Sequence, residues 1–312
     1  MASMLPRDAV VDEAVSLQTA AAHQASLKKR SQAAIVWRRF CKDRMAFLGA
    51  CIIGIAALAA IFAPLIAPHD PLHIEGSQRL AAPGTPGYLL GADEAGRDIF
   101  SRLIYGGRVS LVVAVVPVVA AAAISIRLGL AAGFFGGMVE HVLMRPLDVF
   151  FAFPRIILAI ALAAALGSGM ISVMLALMIG LIPYITRVAY GAVRTTKNLP
   201  FVDAARSCGA RGWQIVLHEV LPNIMPPVIV YCTTLTGLMV ILAAGLSFLG
   251  VGVKPPTPDW GIMLDGGRRV LTVAPHVATI PGLVILTVSV AFNLLGDGLR
   301  DALDPRLRTQ LD

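Results

Sequence analysis

The 312-residue chain is poor in charge: Asp, Glu, Lys and Arg fill 14% of positions, whereas apolar residues fill 57%. A water-soluble domain carries charge at about a quarter of its positions, because its surface requires it. With a mean hydropathy of +0.76, both a soluble globular enzyme and a disordered chain are excluded. The apolar excess also exceeds what one water-covered core can hold, which leaves an integral membrane protein. Lysine is scarcer still. The five lysines are Lys28, Lys29, Lys42, Lys197 and Lys254, and none follows a glycine. The Gly-Lys-[Ser/Thr] run of a nucleotide-binding phosphate loop therefore cannot be built. Cysteine is limited to Cys41, Cys51, Cys208 and Cys232, with neither metal-ligand spacing nor a disulfide framework. No Ser-His-Asp set and no paired carboxylates within the apolar runs are visible, so no catalytic or metal residues are assigned.

What charge there is has a sign and a distribution. Twenty-six basic against nineteen acidic residues give +7, and without any nucleic-acid motif this excess reads as topology signal flanking membrane spans. Six apolar stretches follow, at about 45–67, 109–132, 146–166, 170–190, 228–249 and 273–295, each long enough to cross a bilayer. The first begins too late, and is too long, to be a cleaved leader. The expected fold class is an all-α integral membrane protein with six transmembrane helices. Residues 1–34 read as a mobile cytoplasmic tail, 35–300 as the transmembrane domain and 301–312 as a short C-terminal tail. The N-terminal basic cluster, Arg145, Arg194, Lys197, Arg206, Arg211, Arg300, Arg306 and Arg308 outweigh Arg79, Arg97, Arg102, Arg108, Lys254, Arg268 and Arg269. The positive-inside rule then places both termini and the 194–222 loop in the cytoplasm. Arg127, near the end of the second stretch, is expected to snorkel to that interface.

The 194–222 loop is the most informative segment. Asp203-Ala204-Ala205 begins a short helix, Gly209 permits a reversal, and an amphipathic piece ends at Leu221-Pro222. Asp203 suits a helix N-terminus, and the two alanines let another protein approach the backbone closely. On these grounds alone an ordinary cytoplasmic loop is the better account of the segment. Asp148 and Arg155, seven apart, would share a helix face. They read either as a pore or gate pair or as a hydrated interfacial carboxylate with an unrelated arginine. His276 reads as interfacial.

Acid-Ala-Ala-x-x-x-Gly followed by an apolar piece ending in Leu-Pro resembles the coupling-loop signature of permease subunits of ATP-binding-cassette importers. Asp203 stands where that family usually has Glu. Four further segments resemble the dipeptide and oligopeptide subfamily, specifically the second, C-type permease of its pair. These are residues 90–102, Arg145-Pro146-Leu147-Asp148 with Phe153-Pro154, residues 246–261, and residues 293–305. The resemblance implies a type I importer permease fold carrying half of a pathway for dipeptides or short oligopeptides. It further implies a homologous permease partner forming a heterodimer, two ATPase subunits that bind ATP-Mg, and a periplasmic or extracellular substrate-binding protein. This chain would bind no cofactor, would not itself be an enzyme, and would lie in the bacterial inner membrane, in contact with lipid. Coupling to the ATPase would fall to Asp203, Ala204, Ala205, Gly209, Leu221 and Pro222. Asp93, Arg97, Asp98 and Trp260 would be contacts for the binding protein. The alternative is an ion-driven secondary transporter acting alone, which would need ionisable groups near the midplane of broken helices.

Overall fold

The computed structural model describes Trp37 and residues 40–303. The expected tail at 1–34 and most of that at 301–312 lie outside them. The described residues are helical, with no strands beyond two isolated bridges. Helix α1 (Arg44–Ile61) starts on Asp43, whose carboxylate accepts the Met45 and Ala46 N–H groups, and a one-turn α2 (Ala63–Ile66) follows. After an irregular stretch comes α3 (Ile99–Phe135), then α4 (Gly137–Phe150), α5 (Arg155–Leu166) and α6 (Met170–Thr196). Helix α7 (Pro200–Ser207) and a single turn α8 (Gly212–Gln214) lead through a π-helical segment, Ile215–Val220, into α9 (Leu221–Phe248). The described chain ends with α10 (Trp260–Arg268) and α11 (His276–Leu303).

Five of these stretches are long and apolar enough to cross a membrane: α1, α3, α6, Gly212–Phe248 and α11. The sixth is α4 and α5 taken together, which bend by 91° at the break between them. The third span is thus not the straight helix expected over 146–166. Its cause is local: Phe153-Pro154 interrupts the ladder, since proline lacks an N–H and disfavours helix at the residue before it. Two other boundaries move. The second span, expected from 109, starts ten residues earlier, at Ile99. Pro222, expected to stop a helix, instead sits in the first turn of α9, and Pro226 and Pro227 lie inside that helix. A proline is tolerated in a first turn, where the missing N–H would have no helical partner.

Packing relies on small residues. α3 lies most extensively against α6, and α11 against both α9 and α1. A Cβ on Gly129 would sit 2.6 Å from the Ala189 Cβ, and one on Gly133 would sit 2.7 Å from Val193 Cγ1. Gly298 faces Ala46 and Gly237 faces the Ser289 carbonyl just as closely. Bilayer lipid is as apolar as leucine, so helices associate through such close van der Waals fits. The main core includes Val113, Ala121, Leu177, Leu181, Ile185, Met239 and Val288. A separate cluster of Leu130, Val193, Val202, Ile215, Val220 and Ile224 closes the end of the bundle that carries α7.

Candidate functional site

At that end α7 projects as a short amphipathic helix with one anchor. Val202 is fully buried in the end cluster, whereas Asp203 and Ala204 are exposed and Ala205 is half-buried. Asp203 pairs with Arg206 one turn on, 3.1 Å away, and spends its charge locally. The helix ends in a left-handed turn: Ala210 N–H donates to the Ala205 carbonyl at 3.1 Å and Gly209 N–H to Arg206 at 2.9 Å. These are the two bonds of a Schellman motif, and Gly209 supplies its positive φ of 81°. Nothing lies within 4 Å of where a Gly209 Cβ would be, so the glycine is required by backbone conformation and not by space. Leu221 packs against the end cluster and Pro222 is exposed. Lys197, just before α7, donates from Nζ to the carbonyls of Gly133 (2.9 Å) and Phe134 (3.4 Å). That ties the loop to the last turn of α3, where a cation also meets the negative end of the helix dipole.

The opposite end of the bundle is built on buried polar groups. Asp98 caps α3, accepting from Ser101 N at 2.9 Å and Ser101 Oγ at 2.6 Å. Asp93 accepts the Ala95 and Arg97 N–H groups and Arg97 Nε, and lies 3.4 Å from Arg102 Nε. Asp259 caps α10 through the Gly261 and Ile262 N–H groups and accepts from Ser110 Oγ at 2.7 Å. Burial pushes the Asp259 carboxyl above the usual carboxylate range, and those hydrogen bonds pull it partly back. Trp260 lies flat on Gly106 and Gly107 and donates from Nε1 to the Leu103 carbonyl at 2.9 Å. His276 Nε2 sits 3.1 Å from the Ala81 carbonyl, joining the start of α11 to the irregular stretch.

This burial corrects one expectation. Asp93, Asp98 and Trp260 expose 4%, 2% and 3% of their surfaces, and the Arg97 side chain is largely enclosed. In this structure these side chains face the bundle and not a docking surface, and they hold the stretch before α3 and α10 onto it. The sequence reading passed over Arg102, Ser110 and Asp259, although Asp259 before Trp260-Gly261 is a recognisable helix cap. A second expectation fails with the straight third span. Asp148 and Arg155 lie on either side of the 91° bend and do not share a helix face. Asp148 pairs instead with Arg187 of α6, and Arg155 stacks on Tyr184 of α6, 4.0 Å from the ring centroid. Arg187 stands 4.3 Å over Phe151, which meets Tyr184 edge-on at 4.8 Å.

Residues 125–309, which include α7, its turn and the end cluster, match the model of the binding-protein-dependent transport system inner membrane component family. The chain belongs to that family. Residues 31–83 of the permease also match the N-terminal transmembrane domain of oligopeptide transport permease C. The permease is 41% identical over 273 residues to the glutathione transport system permease protein GsiD of Pectobacterium atrosepticum, covering 88% of this chain and 91% of that one. It is 44% identical over 272 residues to GsiD of Shigella dysenteriae, covering 87% and 90%. To the dipeptide transport system permease protein DppC of Haemophilus influenzae it is 39% identical over 277 residues, covering 87% and 94%. Among solved structures it resembles inward-facing forms of the MetNI methionine ABC transporter, with a TM-score of 0.52 at 18% identity. That match covers 65% of the permease and 97% of the MetNI chain. The fold is that of a type I ABC importer permease, with the bent α4–α5 pair completing six spans.

Proposed function

We propose that the permease forms half of a translocation pathway for short peptides, of the dipeptide or glutathione class, in the inner membrane. Its partner across the pathway is a homologous permease, the two making a heterodimer. Two ATPase subunits holding ATP-Mg dock on α7, and a periplasmic or extracellular binding protein delivers substrate at the end carrying α10. α7 and both termini then face the cytoplasm, in agreement with the basic residues at Arg194, Lys197, Arg206 and Arg211. The observation that carries this reading is the shape of α7. It is anchored by Val202, rigidly ended at Gly209, and bare at Asp203 and Ala204. Such an element passes on a push from outside the bundle without rearranging itself. The nature of the relatives supports the peptide class.

Purifying the tagged permease from membranes in mild detergent tests the assembly. The expected result is stoichiometric recovery of a second permease and two ATPase copies. Reconstituted with its binding protein, that complex should take up glutathione or a dipeptide only when ATP is inside with the ATPases. A permease that transports alone on an ion gradient would overturn the reading. So would a complex whose ATPase ignores every peptide-loaded binding protein.

A further inference from the structure

Tyr184 is the fifteenth of the 27 residues of α6. Counted over the apolar stretch 170–190 at about 1.5 Å per residue, it stands about 9 Å inside the α7 end of the bilayer. Arg155, stacked on its ring, shares that depth. The bend of the third span is therefore inside the membrane, toward its α7 side, and its connecting residues Ala152, Phe153 and Pro154 are exposed on the surface of this chain. Non-helical backbone at such depth is tolerated only against protein or beside a water-filled cavity. The bend accordingly faces the pathway or the partner, not lipid.

Two guanidinium groups meet there and they differ. Arg187 has a carboxylate partner in Asp148. Arg155 has none: no ion pair among the described residues includes it. It is half-buried, with one face on an aromatic ring, and lies beside the exposed residues 152–154 of the bend. An unpaired guanidinium within the membrane is costly unless water or an anion comes to it. We infer that Arg155 receives the carboxylate of the passing substrate, and that Tyr184, braced edge-on by Phe151, holds the guanidinium in place. Arg155 thereby selects for anionic solutes within the pathway. The inference rests on the peptide reading above, since a peptide with a free C-terminus, or glutathione, brings that carboxylate.

The test uses the whole complex in proteoliposomes, in a background whose four native cysteines are replaced by alanine, with glutathione and an alanyl dipeptide as probes. Arg155→Cys should lower uptake about tenfold, the worth of one charge-assisted hydrogen bond. Reaction with a thiol reagent bearing a primary ammonium group, which brings back both the charge and N–H donors, should restore much of it, and a sulfonate-bearing reagent should not. Labelling and rescue are read with the alanyl dipeptide, which has no thiol to consume the reagents, and its presence should slow both reactions. Arg155→Lys, run beside it, keeps the charge but loses the flat group stacked on Tyr184, so its uptake should fall between those of R155C and wild type. Unchanged uptake in R155C, equal rescue by both reagents, or an R155K loss as deep as that of R155C would overturn the assignment. Failure of the wild-type complex to import either probe would instead overturn the peptide reading, and the carboxylate role with it.

Discussion

At the scale of single residues the permease uses glycine for two different purposes, and substitution separates them. Gly129 and Gly133 are there for closeness, because any side chain would strike α6. Gly209 stands in open space and is there for its positive φ. A β-branched residue at Gly209 should cost about 1–2 kcal/mol in the left-handed region and unseat the turn that ends α7. Asparagine tolerates that region. In the reconstituted complex, Gly209→Val should therefore cut ATP-driven uptake about tenfold while membrane insertion is unchanged. Gly209→Asn should retain most uptake. Equal behaviour of the two variants, measured as transport per ATP hydrolysed, would show that the conformation of this turn is not what matters. The same contrast explains why Gly209 was legible in the sequence: a glycine following Asp-Ala-Ala at the end of a helical run marks a cap. The packing glycines carry no such local signature.

At the scale of elements, what the sequence shows best is apolar length, and five of six spans follow from it. The third does not, because hydropathy averages over a bend. Phe153-Pro154 was visible, yet a proline may sit in a kink, a break or a first turn, and only packing decides among them. Pro222, Pro226 and Pro227 illustrate this, since all three are accommodated in α9. Buried polar caps were the other hidden feature. Asp98 looks like a loop charge in the sequence, and Asp259 shows its capping position but not its burial; each is committed to N–H groups at the start of a helix. Lys197 serves the converse end by holding the last carbonyls of α3. Lys197→Met keeps the aliphatic stem and removes the donors, so the expected loss is about 1 kcal/mol. Its effect should be local. Amide exchange should quicken in residues 130–136 and 197–208, while α10 and the stretch before α3 stay protected. Uniform acceleration through the bundle would indicate that Lys197 supports global folding and not this junction.

At the scale of the whole molecule α3 is the element common to both ends. Its first turns carry the Asp98 cap, Arg102 and the glycines beneath Trp260, and its last turns carry Leu130 and the carbonyls bound by Lys197. With 37 residues it extends about 55 Å. A displacement of α7 reaches Leu130 through Val202 and Ile215, which share the end cluster with it. It can travel along α3 to the α10 end if α3 and α6 move as one body, and the contacts of Gly129 with Ala189 and of Gly133 with Val193 join them near the α7 end. A larger residue there would spread the pair at a cost of about 1–3 kcal/mol, affordable to a folded bundle but not to a tight junction. Gly129→Leu or Gly133→Leu should thus leave assembly and basal ATP hydrolysis in place. The stimulation of that hydrolysis by loaded binding protein should be lost, because the signal arriving at the α10 end no longer reaches the ATPases. Gly180→Ala and Gly191→Ala, where a Cβ meets nothing within 4 Å, supply the comparison and should leave stimulation intact. If all four variants kept full stimulation, the two ends would be coupled by another route, with α9 and α11 the next pair to separate.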